Sequence, residues 1–191
     1  LTSRFAFGGS VKYLGERIHN EKSAGFAFDF GTLLYTGFRS LRLGMSITNM
    51  GPELRFTGPD LVVGYDAQNG EGANHPVGAE LKTTPYDLPM TFRVGAAYDI
   101  DMGPNSILTL SGELKHPNDN NQQVALGAEF GFNDRFFLRG GHKFNYDEEG
   151  LTLGGGLNTP ISNGTRIIID YAWQDFGRLR TAHRFSVGFT F

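Results

Sequence analysis

Cysteine is absent from this sequence, which excludes a disulfide framework and thiolate metal sites and is compatible with an oxidising compartment without requiring one. No stretch of about 18 apolar residues occurs, so no membrane-spanning helix is encoded. Charge of neither sign dominates: the net charge is -3 and both signs are spread along the chain. Without a basic stripe or an acidic tail, no nucleic-acid partner is expected. Helix formers never gather into long runs. A Gly-x-Ser-x-Gly turn is missing, and Gly154-Gly155-Gly156 is not followed by the Lys-Ser/Thr of a phosphate loop. His19, His75, His116 and His142 are dispersed without metal-ligand spacing. The start has neither a charged, apolar signal segment nor Met, so Leu1 is expected to open a processed chain or a fragment.

What is present in excess is Gly, at 27, and Phe, at 17 of 191 residues, a β composition. The last stretch, Ala182–Phe191, shows the organising pattern. Phe185, Val187, Phe189 and Phe191 alternate with Arg184, Ser186, Gly188 and Thr190, so an extended backbone has one apolar and one polar, small-residue face. A terminal strand ending on an aromatic is what a bacterial outer-membrane barrel needs to close its sheet, and it reads as a C-terminal assembly signal for the barrel-assembly machinery.

The alternation recurs upstream. Strands are read from Phe5 to Tyr13, Phe26 to Leu34, Leu41 to Thr48, Met90 to Asp99, Leu108 to Lys115, Gln123 to Phe132, Phe136 to Lys143, Leu151 to Leu157 and Arg166 to Trp173. With the terminal strand these make about ten, each near the roughly 9–11 residues that cross a tilted bilayer. A polar 16–22 loop joins the first two. Gly37–Ser40, Gly103-Pro104-Asn105, Asn133-Asp134 and Pro160–Gly164 read as tight turns. If the C-terminus is periplasmic, these fall on the periplasmic side, and the mostly longer connections at 16–22, 49–89, 116–122, 146–150 and 175–180 fall outside, as outer-membrane barrels require. The expected fold class is therefore all-β, an antiparallel transmembrane β-barrel forming a single domain over 1–191.

One set of alternating positions carries the charges: Lys12, Asp29, Arg42, Arg93, Asp99, Glu113, Lys115, Glu129, Arg139, Lys143, Arg166, Asp170 and Arg184. Facing hydrocarbon, each basic one would cost roughly 2–4 kcal/mol at the midplane. They are therefore expected to face an aqueous lumen, where mixed signs pair across strands and oppose strong ion selectivity. The 49–89 excursion holds Met50, Leu54, Phe56, Leu61, Val63 and Tyr65 among turn residues, an apolar content a solvated loop does not need. It is expected to contact a partner or ligand, or else to fold over the barrel mouth as a lid. Leu61–Tyr65 reads as a short strand inside it.

The residues also carry a family likeness. Asp87-Leu88-Pro89-Met90-Thr91-Phe92-Arg93-Val94-Gly95, His116-Pro117-Asn118-Asp119-Asn120-Asn121, Arg139-Gly140-Gly141-His142-Lys143-Phe144-Asn145 with Glu149-Gly150-Leu151, and Asp170-Tyr171-Ala172 with Phe176-Gly177 and the terminal strand together resemble the PorV/PorQ family of outer-membrane proteins. That resemblance implies a barrel of the FadL type with about fourteen strands. It also implies an N-terminal segment folded into the lumen, residence in the outer membrane of a Gram-negative bacterium, and service to the type IX secretion system. Its partners would be outer-membrane lipid and secretion-system proteins or secreted cargo. The front of the pattern is the departure: the signal peptide, the small-residue plug and roughly the first four strands have no counterpart here.

No catalytic residue, cofactor or metal is expected. His183 and Ser186, three apart, fall on opposite faces of a strand and cannot form a dyad. The Asn118–Asn121 and Asp147–Glu149 loops lack the regular spacing of a calcium loop. Asn163-Gly164-Thr165 matches a glycosylation sequon that means nothing in a bacterial periplasmic turn. The function read from the chain is a non-enzymatic outer-membrane protein for type IX-like secretion or cargo docking. The alternatives are a FadL-like transporter of hydrophobic small molecules, and a soluble β-sandwich or lipocalin-like carrier.

Overall fold

The computed structural model describes residues 4–65, 77–162 and 164–191; Leu1, His75 and Asn163 lie outside them, as does the middle of the 49–89 excursion. The strands are β1 (Phe5–Ile18), β2 (Glu21–Tyr35), β3 (Arg42–Met50), β4 (Val62–Tyr65), β5 (Val77–Glu80), β6 (Thr91–Gly103), β7 (Ser106–Pro117), β8 (Gln123–Phe132), β9 (Phe136–Phe144), β10 (Leu151–Ser162), β11 (Thr165–Asp175) and β12 (Thr181–Thr190). Ten of them form one sheet in the order β1-β2-β3-β6-β7-β8-β9-β10-β11-β12, and β4 and β5 form a separate two-stranded ribbon. The pairings whose register is fixed, from β6 to β12 and between β4 and β5, are all antiparallel. The fold is all-β, and the large sheet is open, with β1 and β12 at its two ends.

Neighbours in chain order are neighbours in the sheet because the turns are short. Asn133 and Asp134, at φ 56° and 52°, take the left-handed conformation a tight hairpin demands and that Asn and Asp tolerate. Between β1 and β2 the expected 16–22 loop is instead a two-residue turn at His19-Asn20, with His19 at φ 53°. Glu16 and Arg17 break the apolar alternation, but backbone pairing does not depend on apolar side chains, and the ladder runs on through them. The contrast in connection length between the two ends of the sheet therefore fails at this hairpin. Of the expected strand Leu61–Tyr65, Val62–Tyr65 is realised as β4 while Leu61 closes the 3-10 turn from Pro59, and the partner β5 has no signal in the alternation.

The chain packs as two units. One comprises 1–8, 31–46 and 91–191, the other 9–30 and 47–90, and β1, β2 and β3 contribute to both. Large buried side chains are scarce. The buried apolar cluster is Ala27, Leu54 and Leu88, with Leu14 and Tyr86 packed against it, all in the second unit.

Candidate functional site

Directly opposed residues of an antiparallel pair stand on the same face, so the registers assign faces residue by residue. One rung runs Asp99, Thr109, Glu129, Arg139, Gly154, Ala172, Arg184 across β6 to β12. The next runs Ala97, Ser111, Gly127, Gly141, Thr152; then come Gly95, Glu113, Ala125, Lys143; then Arg93, Lys115, Gln123. Arg166 and Asp170 fall on that face by alternation along β11. The charges from Arg93 to Arg184 that the alternation groups together thus share one face of β6 to β12.

Many of them are paired. Arg139 bonds Glu129 through Nε and Asp170 through Nη1, each at 2.5 Å. The second bond spans β10, where Gly156 opposes Asp170. A Cβ at 156 would lie 2.5 Å from Asp170 Oδ1 and 3.0 Å from Arg139 Nη1; glycine leaves the space through which the ion pair reaches. Arg42 Nη2 donates to Asp99 Oδ1 at 2.6 Å, and Thr109 Oγ1 donates to the same oxygen at 2.8 Å. Lys143 pairs with Glu149, and Arg166 Nε donates to Asn158 Oδ1 at 2.9 Å. A cavity of about 990 Å³ opens on this face, lined among others by Arg42, Arg93, Glu113, Glu129, Arg139 and Asp170.

The opposite face is apolar. It presents Phe92, Val94 and Tyr98 on β6, Leu108, Leu110 and Leu114 on β7, and Leu126 and Phe130 on β8. Leu138 on β9, Leu153 on β10, Ile169 and Tyr171 on β11, and Phe185, Val187 and Phe189 on β12 continue it. No charged residue falls between them in register. Leu126 is 53% exposed, Leu138 67%, Phe185 68% and Phe189 57%, so nothing among the described residues covers this surface. Phe191 follows β12 and is 98% exposed. His183, opposite Trp173 on the apolar face, shares a 2.8 Å hydrogen bond with the Tyr171 hydroxyl. Ser186 opposes Asp170 on the other face, so the two stand apart, as the spacing of three requires.

In the second unit, Lys12 Nζ lies 2.8 Å from Asp29 Oδ2 and donates to Asn49 Oδ1 at 2.6 Å. Asn49, at φ 60°, donates its backbone N–H to Asp29 Oδ1 at 2.8 Å and its side-chain amide to the Pro89 carbonyl at 3.0 Å. This knot ties both ends of the excursion to β1 and β2. The excursion then folds back onto β2, where Leu54 and Leu88 cover Ala27 on the Asp29 side of the strand. A Cβ at Gly25 would meet Leu54 Cδ2 at 2.4 Å, and one at Gly51 would meet the Phe26 carbonyl at 2.5 Å. The Tyr86 hydroxyl donates to Glu16 Oε2 at 2.9 Å and lies 3.0 Å from Ser23 Oγ, while its ring stacks on Phe56 at 5.6 Å.

The apolar residues of the excursion therefore divide. Leu54 is buried, Phe56 and Leu61 are half-buried, and Met50, Val63 and Tyr65 are exposed. In the ribbon, Val63 opposes Ala79 and Tyr65 opposes Val77, which gives one apolar face with Tyr65 58% and Val77 61% exposed.

In the acidic loop after β9, Glu148 and Glu149 pair with the side chains of Arg178 and Lys143. Glu148 accepts from Arg178 Nε at 2.7 Å and from the Arg178 backbone N–H at 2.9 Å, and these bonds hold its carboxyl below the ordinary carboxylate range. Burial pushes the Tyr146 phenol up, with Glu113 and Glu149 adding to the rise. Among the described residues no group of three or more His, Asp or Glu side chains is placed to hold a metal. The pairs through Gly156, the His19-Asn20 turn and the Leu54 packing escape sequence reading, and the run Gly154-Gly155-Gly156 is the one local sign of the first.

The chain matches no family model, and no curated protein matches its sequence.

Proposed function

We propose that this chain is a non-enzymatic outer-membrane β-barrel protein of the PorV/PorQ type, serving type IX-like secretion or docking cargo at the cell surface of a Gram-negative bacterium. The observation that carries the membrane part is the division of strands β6 to β12 into an exposed apolar face without charge and an opposite face bearing ion pairs. Water does not reward so large an exposed apolar surface, whereas acyl chains match it. A bilayer leaves no unpaired strand edge unsatisfied, so this reading has β1 and β12 covered by closure through further strands, about fourteen in all as in the family it resembles.

The docking part rests on the apolar face of the β4–β5 ribbon, held out from a stem that is itself packed. The experiment has two arms. Membrane residence requires that the full chain partition with outer-membrane lipid and need detergent for extraction; a folded monomer in plain buffer overturns it. Docking requires that replacing the ribbon 62–80 by a short Gly/Ser linker abolish capture of secretion partners while the barrel still assembles; unchanged capture overturns it.

The cavity favours a second reading, a FadL-like transporter. It predicts that hydrophobic small molecules bind the purified protein and depend on it for uptake, and it fails if neither holds.

A further inference from the structure

We infer that the connection between β9 and β10, residues 145–150, is a lid latched by charge across the long-connection end of the cavity. On the face that bears the charges, the cavity is lined as far as Arg93, Glu113, Ala125 and Lys143. Lys115 and Gln123, in register with Arg93, stand beyond its edge. The Tyr146 ring accounts for this. Its centroid is 5.2 Å from Lys143 Nζ on β9 and 5.5 Å from Lys115 Nζ on β7. β8 runs between those two strands, so the ring reaches across β8 at the level of Gln123, which is 5% exposed. Gln123 opens β8, and a connection extended into solvent would leave it open to water.

The lid has a hinge and a latch. Asn145, at φ 60°, turns the chain off the line of β9, and its side-chain amide donates to the Gln122 carbonyl at 3.3 Å. The Lys143 N–H donates to the Gly150 carbonyl at 3.2 Å and closes the base. The latch is Glu148, which accepts from Nε and the backbone N–H of Arg178, with Glu149 paired to Lys143. Gly177 leaves room for it: a Cβ there would lie 2.8 Å from Glu148 Oε2. The Arg178 side chain is 89% exposed, so salt screens the pair. The closed position also carries a cost. Gln123 Oε1 is covered without a hydrogen-bond partner among the described residues, and water would satisfy it once the ring moved away. Weak ties on one side and an unmatched acceptor on the other make a two-position element rather than a fixed plug. Under the membrane reading this end faces the cell surface, so the lid decides whether the cavity opens to the exterior.

The chain has no cysteine, so a thiol introduced by Gln123→Cys is the only one present. In purified full chain held in detergent micelles, its rate of modification by a charged methanethiosulfonate is followed beside that of Arg135→Cys, at an exposed position near the tight turns. The thiol at 123 is expected to react slowly at low ionic strength. Adding Tyr146→Ala should speed it roughly tenfold, since two contacts between ammonium and ring are lost. Glu148→Gln, or about 0.5 M salt, should speed it about threefold, with position 135 unchanged throughout. Position 123 reacting as fast as 135 beneath the unsubstituted lid, no acceleration by Tyr146→Ala, or an equal rise at 135 overturns the inference. If Gln123→Cys does not fold, hydrogen exchange of the unsubstituted chain decides. The Gly150 and Arg178 amides, bonded to Asp175 and Glu148, should exchange faster in salt while those within β7 and β8 do not; unchanged exchange at 150 and 178 overturns the lid. None of these readouts involves secretion partners or uptake, so failure here and failure of the proposed function are distinguishable.

Discussion

Gly156 shows how much one missing side chain can matter. Its neighbour Gly155 has room, with a Cβ lying 3.7 Å from the Phe137 carbonyl, whereas at 156 the same atom strikes Asp170 Oδ1 at 2.5 Å. Gly156→Ala is therefore expected to cost about 1 kcal/mol or more by displacing the Arg139–Asp170 pair, while Gly155→Ala stays within about 0.5 kcal/mol. Urea unfolding in detergent, with Asp170→Ala as the second background, checks this: the cost of Gly156→Ala should shrink when Asp170 is already gone. Glu148 supplies the pH prediction. Its folded carboxyl lies below the ordinary range because Arg178 holds it, so the stability it contributes is present above the unfolded carboxylate value and is lost as pH falls through the folded one. Acidification below about pH 4 should loosen the 145–150 and 176–180 connections. Glu148→Gln should show them loosened already at neutral pH, with less further change in acid, as read by hydrogen exchange.

At the scale of the element, the excursion between β3 and β6 is two different things. Its stem is packed by Leu54 and Leu88 on Ala27 and fastened by Asn49 and Tyr86; its ribbon is exposed. Leu54→Ala is expected to free the stem at a cost of about 2 kcal/mol, the low end for a buried leucine because the cluster is small. Limited proteolysis between 49 and 61 should then rise sharply while strands β6 to β12 stay protected. Equal protection of the stem in wild type and variant would show that the cluster does not hold it. Little of this was legible beforehand. The apolar residues of the excursion are visible in the chain, but whether each meets β2 or solvent depends on how the loop folds back, and Gly25 and Gly51 signal close approach only once their neighbours are known. β5 was invisible because Val77–Glu80 gains its strand character from pairing with β4.

Across the whole molecule, the test of which solvent surrounds the sheet lies in two adjacent residues of β12. Val187 opposes Ile169 on the apolar face and Ser186 opposes Asp170 on the charged face. In a bilayer Val187→Arg is expected to cost about 2–4 kcal/mol near the midplane and to impair folding into lipid vesicles, while Ser186→Arg, placed beside Asp170, is tolerated. In water the ordering vanishes, because Val187 is already 48% exposed and an arginine there would be hydrated; equal vesicle folding of the two variants would therefore remove the membrane reading. The alternation of Phe, Leu and Val with Gly, Ser and charged residues determined by itself that the chain is all-β, roughly where the ten long strands lie, and which charges of β6 to β12 share a face, because a strand's side chains point alternately to its two sides whatever surrounds it. Only the tertiary structure decided which charges pair, that one pair crosses a strand through a glycine gap, and which part of the excursion is packed. Those outcomes turn on distances between residues far apart in the chain, and the period of a strand carries no information about them.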